Sequence, residues 1–112
     1  MKLYEKYFNN VKNNKKKVEL RLYDDKRKDI KIGDTITFLK LPQLDETIKI
    51  VVIGISRFDS FKEIYSTFPP SFFNHPNNIS VEEQVQKERE YYSEEREKEF
   101  GVVGFHIKLI KD

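Results

Sequence analysis

Apolar residues recur along the first dozen positions at helical spacing. Tyr4, Phe8 and Val11 share a face with Tyr7 beside them, and Asn9, Asn10 and Lys12 lie off it. The pattern predicts a short helix over residues 4–13. It should close at Asn13-Asn14, because asparagine tolerates the left-handed backbone that often ends a helix. From Lys17 the period changes to two. Val18, Leu20 and Leu22 fall on one face of a strand over 17–23, and Lys17, Glu19, Arg21 and Tyr23 on the other. The apolar face is expected to pack on a core, and the charged face to be free for a polar or anionic ligand.

A charged connection, 24–29, leads to a turn at Lys31-Ile32-Gly33-Asp34, where Gly33 supplies the unusual backbone angle. Residues 35–39 alternate as a strand, 42–46 form a polar loop, and 47–57 form a long strand. The run Ile50-Val51-Val52-Ile53-Gly54-Ile55 is apolar enough to be covered on both faces. Two capping boxes follow. Ser60-Phe61-Lys62-Glu63 opens a helix through Thr67 that ends before Pro69-Pro70, and Ser80-Val81-Glu82-Glu83 opens a second. The second helix carries a narrow stripe of Val81, Val85 and Tyr92. Its acidic remainder, Glu82 to Glu99, reads as a solvated face. Between the two helices, the aromatic segment 68–75 is expected to plug one end of the sheet, with His75 a surface residue. Ser93 caps a last turn over 94–100, Gly101 stops it, and 102–110 closes the chain as a strand with Val103, Phe105, Ile107 and Leu109 on one face. Helix, three strands, two or three helices and a strand make an α+β pattern rather than a βαβ repeat. A small, strongly curved sheet or barrel with helices on its rim would bury these strands.

Length and composition bound the function classes. A chain of 112 residues is one domain, 1–112, able to bury a single core. Nine Phe and six Tyr mark a folded chain despite 36% charged residues. No cysteine means no disulfide and no thiolate zinc site. His75 and His106 lie far apart in sequence, so the chain calls for no metal and no cofactor. No apolar run approaches the ~20 residues of a membrane helix, and the N-terminus lacks a signal-peptide pattern. A cytoplasmic protein is expected; nothing sets the oligomeric state, and a monomer is the default. The net charge of +2 conceals an asymmetry: residues 1–40 carry 12 Lys/Arg against 6 Asp/Glu, and residues 81–112 carry 6 against 9. The basic third is where an anionic partner would be steered.

The stretch from Phe8 through Asn14-Lys15-Lys16-Lys17 to Val18-Glu19-Leu20-Arg21-Leu22 resembles the opening of the ASCH domain of the PUA-like superfamily. The turn and strand Asp29 to Phe38, Arg57 to Glu63, and Tyr91-Tyr92-Ser93 through Phe100-Gly101-Val102-Val103-Gly104 are similar to its later parts. The resemblance covers nearly the whole chain. It implies a small PUA-like β-barrel with flanking helices, a cleft over the Lys/Glu/Arg strand, and RNA or a modified nucleoside as ligand. Some members of that family are ribonucleases, and a shorter branch hydrolyses the amide of N4-acetylcytidine. That branch uses a turn lysine, a threonine three residues on and a distal glutamate. Carried over, the lysine falls on Lys16 and the threonine position on Glu19. The usual turn glycine is Asn14, and 74–78, where the distal glutamate belongs, contains none.

The candidate ligand-binding residues are therefore Lys16, Lys17, Glu19, Arg21, Tyr23 and Arg57, with Lys16 and Glu19 as the catalytic pair if the chain is an enzyme. Lysine can pair with a phosphate, or act as a base where neighbouring cations lower its pKa. Arginine offers a planar fork to a phosphate or base edge, and a carboxylate beside it can orient lysine or activate water. Tyr23, Arg57 and Phe58 are further candidates, because an aromatic beside an arginine can stack a base. Two classes follow: a module that binds RNA or a modified nucleoside, or a hydrolase acting on RNA or on an acylated nucleoside.

Overall fold

The computed structural model describes residues 1–43 and 45–110; Leu44, inside the expected polar loop 42–46, lies outside the described residues. The elements in chain order are β1 (Lys2–Tyr4), α1 (Glu5–Lys12), β2 (Val18–Leu22), β3 (Thr35–Leu41), β4 (Thr47–Phe58), α2 (Phe61–Thr67), α3 (Val81–Glu88), α4 (Glu94–Phe100) and β5 (Val102–Leu109). A 3-10 turn, Pro70–Phe73, follows α2. The strands form one sheet in the order β1-β3-β4-β5-β2, with β1 parallel to β3 and every other pair antiparallel. The class is α+β, as expected, and the barrel takes the form of a curled half-barrel.

Punctuation follows the sequence closely. Asn14 closes the turn after α1 with φ 58°, and Gly33 and Gly101 take φ 95° and 73°. The hydroxyls of Ser60, Ser80 and Ser93 accept from the backbone N–H of Glu63, Glu83 and Arg96, capping α2, α3 and α4. The N-terminus differs. Tyr4 belongs to β1, which the helical spacing concealed, because three residues paired in parallel with a distant strand leave no local periodicity.

Both faces of the sheet are buried, and the period-two register explains how. Glu19 opposes Phe105 and Arg21 opposes Val103, whereas Leu20 opposes Gly104 and Leu22 opposes Val102. One face of β5, with Val103, Phe105 and Ile107, joins Phe38, Ile50, Val52 and the Phe8 and Val11 of α1 in a core inside the curl. The other face joins Val18, Leu20 and Leu22 to Phe61, Ile64, Tyr65 and Phe73. The aromatic segment 68–75 thus packs outside the sheet with α2 rather than plugging its end. Where β4 was expected to be covered on both faces, a register shift falls between Val52 and Gly54 and leaves Ile53 57% exposed. The extra residue resets the alternation, so Ile55 returns to the inner core.

Helix α2 sits directly on Gly104. A methyl group there would lie 2.8 Å from Ile64 Cδ1 and 3.0 Å from Val18 Cγ1. Gly104→Ala is expected to cost about 1–3 kcal/mol by overpacking. Ile64→Val, which removes Cδ1, should recover part of that loss in the double variant. Denaturant midpoints of the four proteins check it; additive losses would mean that the two sites do not clash.

Candidate ligand cleft at the seam of the sheet

A curled sheet that does not close leaves two edges facing each other, here β1 and β2. The Arg21 side chain spans between them, its Nη2 lying 3.4 Å from the Lys2 carbonyl oxygen, longer than an ordinary hydrogen bond. Over this seam lies a cleft of about 540 Å³. Its walls come from β1, α1, β2, Tyr65 of α2, the loop 73–76 and the segment 87–92.

The turn before β2 decides which lysine enters. The backbone N–H groups of Lys15 and Lys16 both donate to the Asn10 carbonyl, and that of Lys17 donates to Phe72. The strand begins only at Val18, so its alternation does not extend back to the lysines. Lys16 turns into the cleft, while Lys17 lines a separate smaller cavity with Asn14, Phe72 and His106. Glu19, Arg21 and Lys16 are brought together. Lys16 Nζ lies 3.5 Å and Arg21 Nε 3.6 Å from Glu19 Oε1. Glu19 is 4% exposed, and its other oxygen, Oε2, has no hydrogen-bond partner among the described residues; nor has Arg21 Nε. Tyr23 and Arg57 stack on each other instead, with the guanidinium carbon 3.6 Å from the ring centroid, and they stand outside the cleft walls.

The opposite wall holds residues that the sequence reading placed elsewhere. Helix α3 ends at Glu88, so Tyr92 lies beyond it. Gln84, 1% exposed, and Glu88 point inward with Val81 and Val85. Positions 81, 84, 85 and 88 form a complete helical stripe whose second and fourth members are polar; that was the available signal. Glu88 accepts from the buried Tyr65 hydroxyl at 2.7 Å. Burial pushes the Glu88 carboxyl above the usual range, and the Tyr65 bond only partly offsets it. His75 is half-buried rather than on the surface, with Nδ1 2.8 Å from Gln84 Oε1 and burial lowering its pKa. Its ring packs against the touching rings of Tyr65 and Phe73, at 5.8 and 6.0 Å.

Two tyrosines meet across the mouth. The Tyr7 and Tyr91 hydroxyls are 3.2 Å apart and their rings pack edge to face at 6.3 Å. Lys16 Nζ lies 5.5 Å from the Tyr7 ring centroid. Five cations and three carboxylates line the cleft, and Lys2, Lys6 and Lys87 are exposed at its outer part. The arrangement offers buried charge within, aromatic surface beside it and exposed ammonium groups outside. Among the described residues no group of three or more His, Cys, Asp or Glu side chains is placed to hold a metal ion. Nor, among the described residues, is any helix long and apolar enough to cross a membrane.

Comparison with known proteins agrees with this architecture. No curated protein matches the chain significantly. Among solved structures, the crystal structure of hypothetical protein PH0355 is similar over 98% of this chain and all of its own, at 38% identity and a TM-score of 0.77. The solution structure of protein PF0455 from Pyrococcus furiosus matches over the full length of both chains at 32% identity and a TM-score of 0.70. The crystal structure of an ASCH protein from Zymomonas mobilis shares the fold at 14% identity and a TM-score of 0.67, over 96% of this chain and 64% of its own. The sequence profile of the ASCH domain matches residues 1–111. The curled half-barrel is thus shared with these structures, and this chain belongs to the ASCH domain family.

Proposed function

We infer that the chain binds RNA or a modified nucleoside in the cleft over β2. The observation that carries this reading is Glu19, buried between Lys16 and Arg21 with one oxygen unpartnered, at the floor of a cavity of nucleotide size. A buried carboxylate left half-satisfied is costly unless something completes it. The tyrosines give a base a surface, and Lys2, Lys6 and Lys87 give a phosphate its counter-charge. The family's general association with RNA agrees with this reading. A titration of short single-stranded RNA at increasing salt tests it. Three or four lysine–phosphate contacts give a log–log slope of about −2 to −3 for a single strand. A flat response would turn the reading toward an uncharged nucleoside, and no binding at any salt would end it.

One observation favours a second reading, a hydrolase acting on RNA or an acylated nucleoside. Glu19 is flanked by cations, while the Glu88 carboxyl in the same cleft is raised by burial. Two carboxylates in contrasting environments can divide the roles of base and acid. A screen of acylated and methylated nucleosides and short RNAs for turnover tests it. Lys16→Ala and Glu19→Ala should each abolish any hydrolysis found, and full activity in both removes the reading. With Glu88 as the acid, the rate should fall as pH rises through its raised pKa, because the proton it donates is lost there.

A further inference from the structure

The nucleic-acid reading of the cleft can be sharpened by two atoms inside it. Glu19 Oε2 and Arg21 Nε are buried, and neither has a hydrogen-bond partner among the described residues. The side chains stand two residues apart on β2, with Arg21 Nε 3.6 Å from the other oxygen of Glu19. One free atom is an acceptor and the other a donor. Their complement is a group carrying an N–H beside a carbonyl or ring-nitrogen acceptor. A phosphate offers only acceptors near neutral pH and would meet the Glu19 charge. The Watson–Crick edge of a nucleobase carries the required pair, and in unpaired RNA that edge is open to protein.

Tyr7 is the second observation. Its hydroxyl meets that of Tyr91, and the ammonium of Lys16 lies 5.5 Å from its ring centroid, within reach of Glu19 as well. Lys16 thus screens both a stacking surface and the carboxylate. Its long, flexible side chain can leave for a phosphate, uncovering both. The exposed ammonium groups of Lys2 and Lys6 lie toward the outside of the same cleft.

We propose that the cleft takes one unpaired nucleotide base-first, with its Watson–Crick edge on Glu19 Oε2 and Arg21 Nε and its ring on Tyr7. The base displaces the Lys16 ammonium, which swings to the phosphate beside Lys2 and Lys6. The free edge is required, so a base already paired in a duplex does not fit. The polarity is also fixed: the buried Glu19 carboxylate keeps the phosphate toward the exposed lysines outside.

The test is competition against a fluorescent single-stranded oligoribonucleotide on the intact chain. The competitors are the four ribonucleoside 5′-monophosphates, the counterpart of each with the edge N–H groups replaced by N-methyl, and ribose 5-phosphate. The same oligoribonucleotide annealed to its complement is titrated separately. For the tightest of the four nucleotides, N-methylation should weaken binding roughly ten- to hundredfold, the scale of a lost bidentate edge contact. Duplex formation should weaken binding at least as much, and ribose 5-phosphate should not compete in the same range. Tyr7→Leu, with folding checked by circular dichroism, should lower affinity for the nucleotide. Equal competition by methylated and unmethylated forms, or by ribose 5-phosphate and nucleotide, would overturn the base-first arrangement while leaving RNA binding in place. Failure of every RNA to bind would overturn both.

Discussion

Glu97→Ala should lower the thermal midpoint by about 12 °C, from a loss of roughly 3 kcal/mol at about 4 °C per kcal/mol. Glu97 sits in α4, 5% exposed, and holds two other elements at once. One carboxylate oxygen accepts from the Phe61 backbone N–H at the start of α2, at 2.6 Å. The other accepts from Arg89 Nη2 at 2.7 Å. An anion at a helix N-terminus completes a donor that the helix cannot satisfy itself. Alanine orphans that N–H and leaves Arg89 only Glu94, whose Oε1 is 3.9 Å away on an exposed side chain. Glu97→Gln keeps an acceptor and should fall between alanine and wild type. Removing both charges, in Glu97→Ala with Arg89→Met, should cost less than Glu97→Ala alone, because no partly buried cation is stranded. A single alanine variant melting within a degree or two of wild type would show that the clamp carries no weight.

Arg21→Ala should reduce affinity for single-stranded RNA by about ten- to hundredfold, the scale of one base-edge contact of 1–3 kcal/mol. Folding should suffer much less. Neither contact of the guanidinium, 3.4 Å to the Lys2 carbonyl and 3.6 Å to Glu19, is a short hydrogen bond. The group is positioned but not saturated. Arg21→Lys restores a cation beside Glu19 and most of the stability, but it lacks the planar fork and should not restore affinity. A base contact and a phosphate contact differ in their salt response. The slope of affinity against salt should stay unchanged in Arg21→Ala and fall by about 0.7 in a variant such as Lys6→Ala that loses one phosphate contact. Equal affinity of wild type, Arg21→Ala and Arg21→Lys at low salt would remove the cleft from RNA binding.

Local chemistry made much of the fold legible. The three serine caps, the left-handed Asn14, and the glycines at 33 and 101 depend on a few adjacent residues and stand where the sequence places them. Lys16, Glu19 and Arg21 were legible because the turn and strand that align them are contiguous. β1 was not, since its partner β3 lies more than thirty residues away. The wall opposite β2 was hidden for the same reason. His75, Glu88 and Tyr91 reach the cleft only because the second core draws α2, α3 and the loop between them over the edge strand. Glu97 read as one more acid on a solvated helix, and only the fold turns it inward. Tyr23 and Arg57 read as surfaces for a base, and the fold instead stacks them on each other.

β1 has three residues and pairs with β3 alone. The side of the cleft it forms is therefore the least cooperative part of the sheet. A short edge strand with one partner opens at a free-energy cost far below that of unfolding the whole domain. Local opening of Lys2 to Tyr4 would widen the seam while β4 and β5 hold their register, and it would lift Leu3 out of the inner core. Amide hydrogen exchange should therefore be faster along β1 than along β4 and β5.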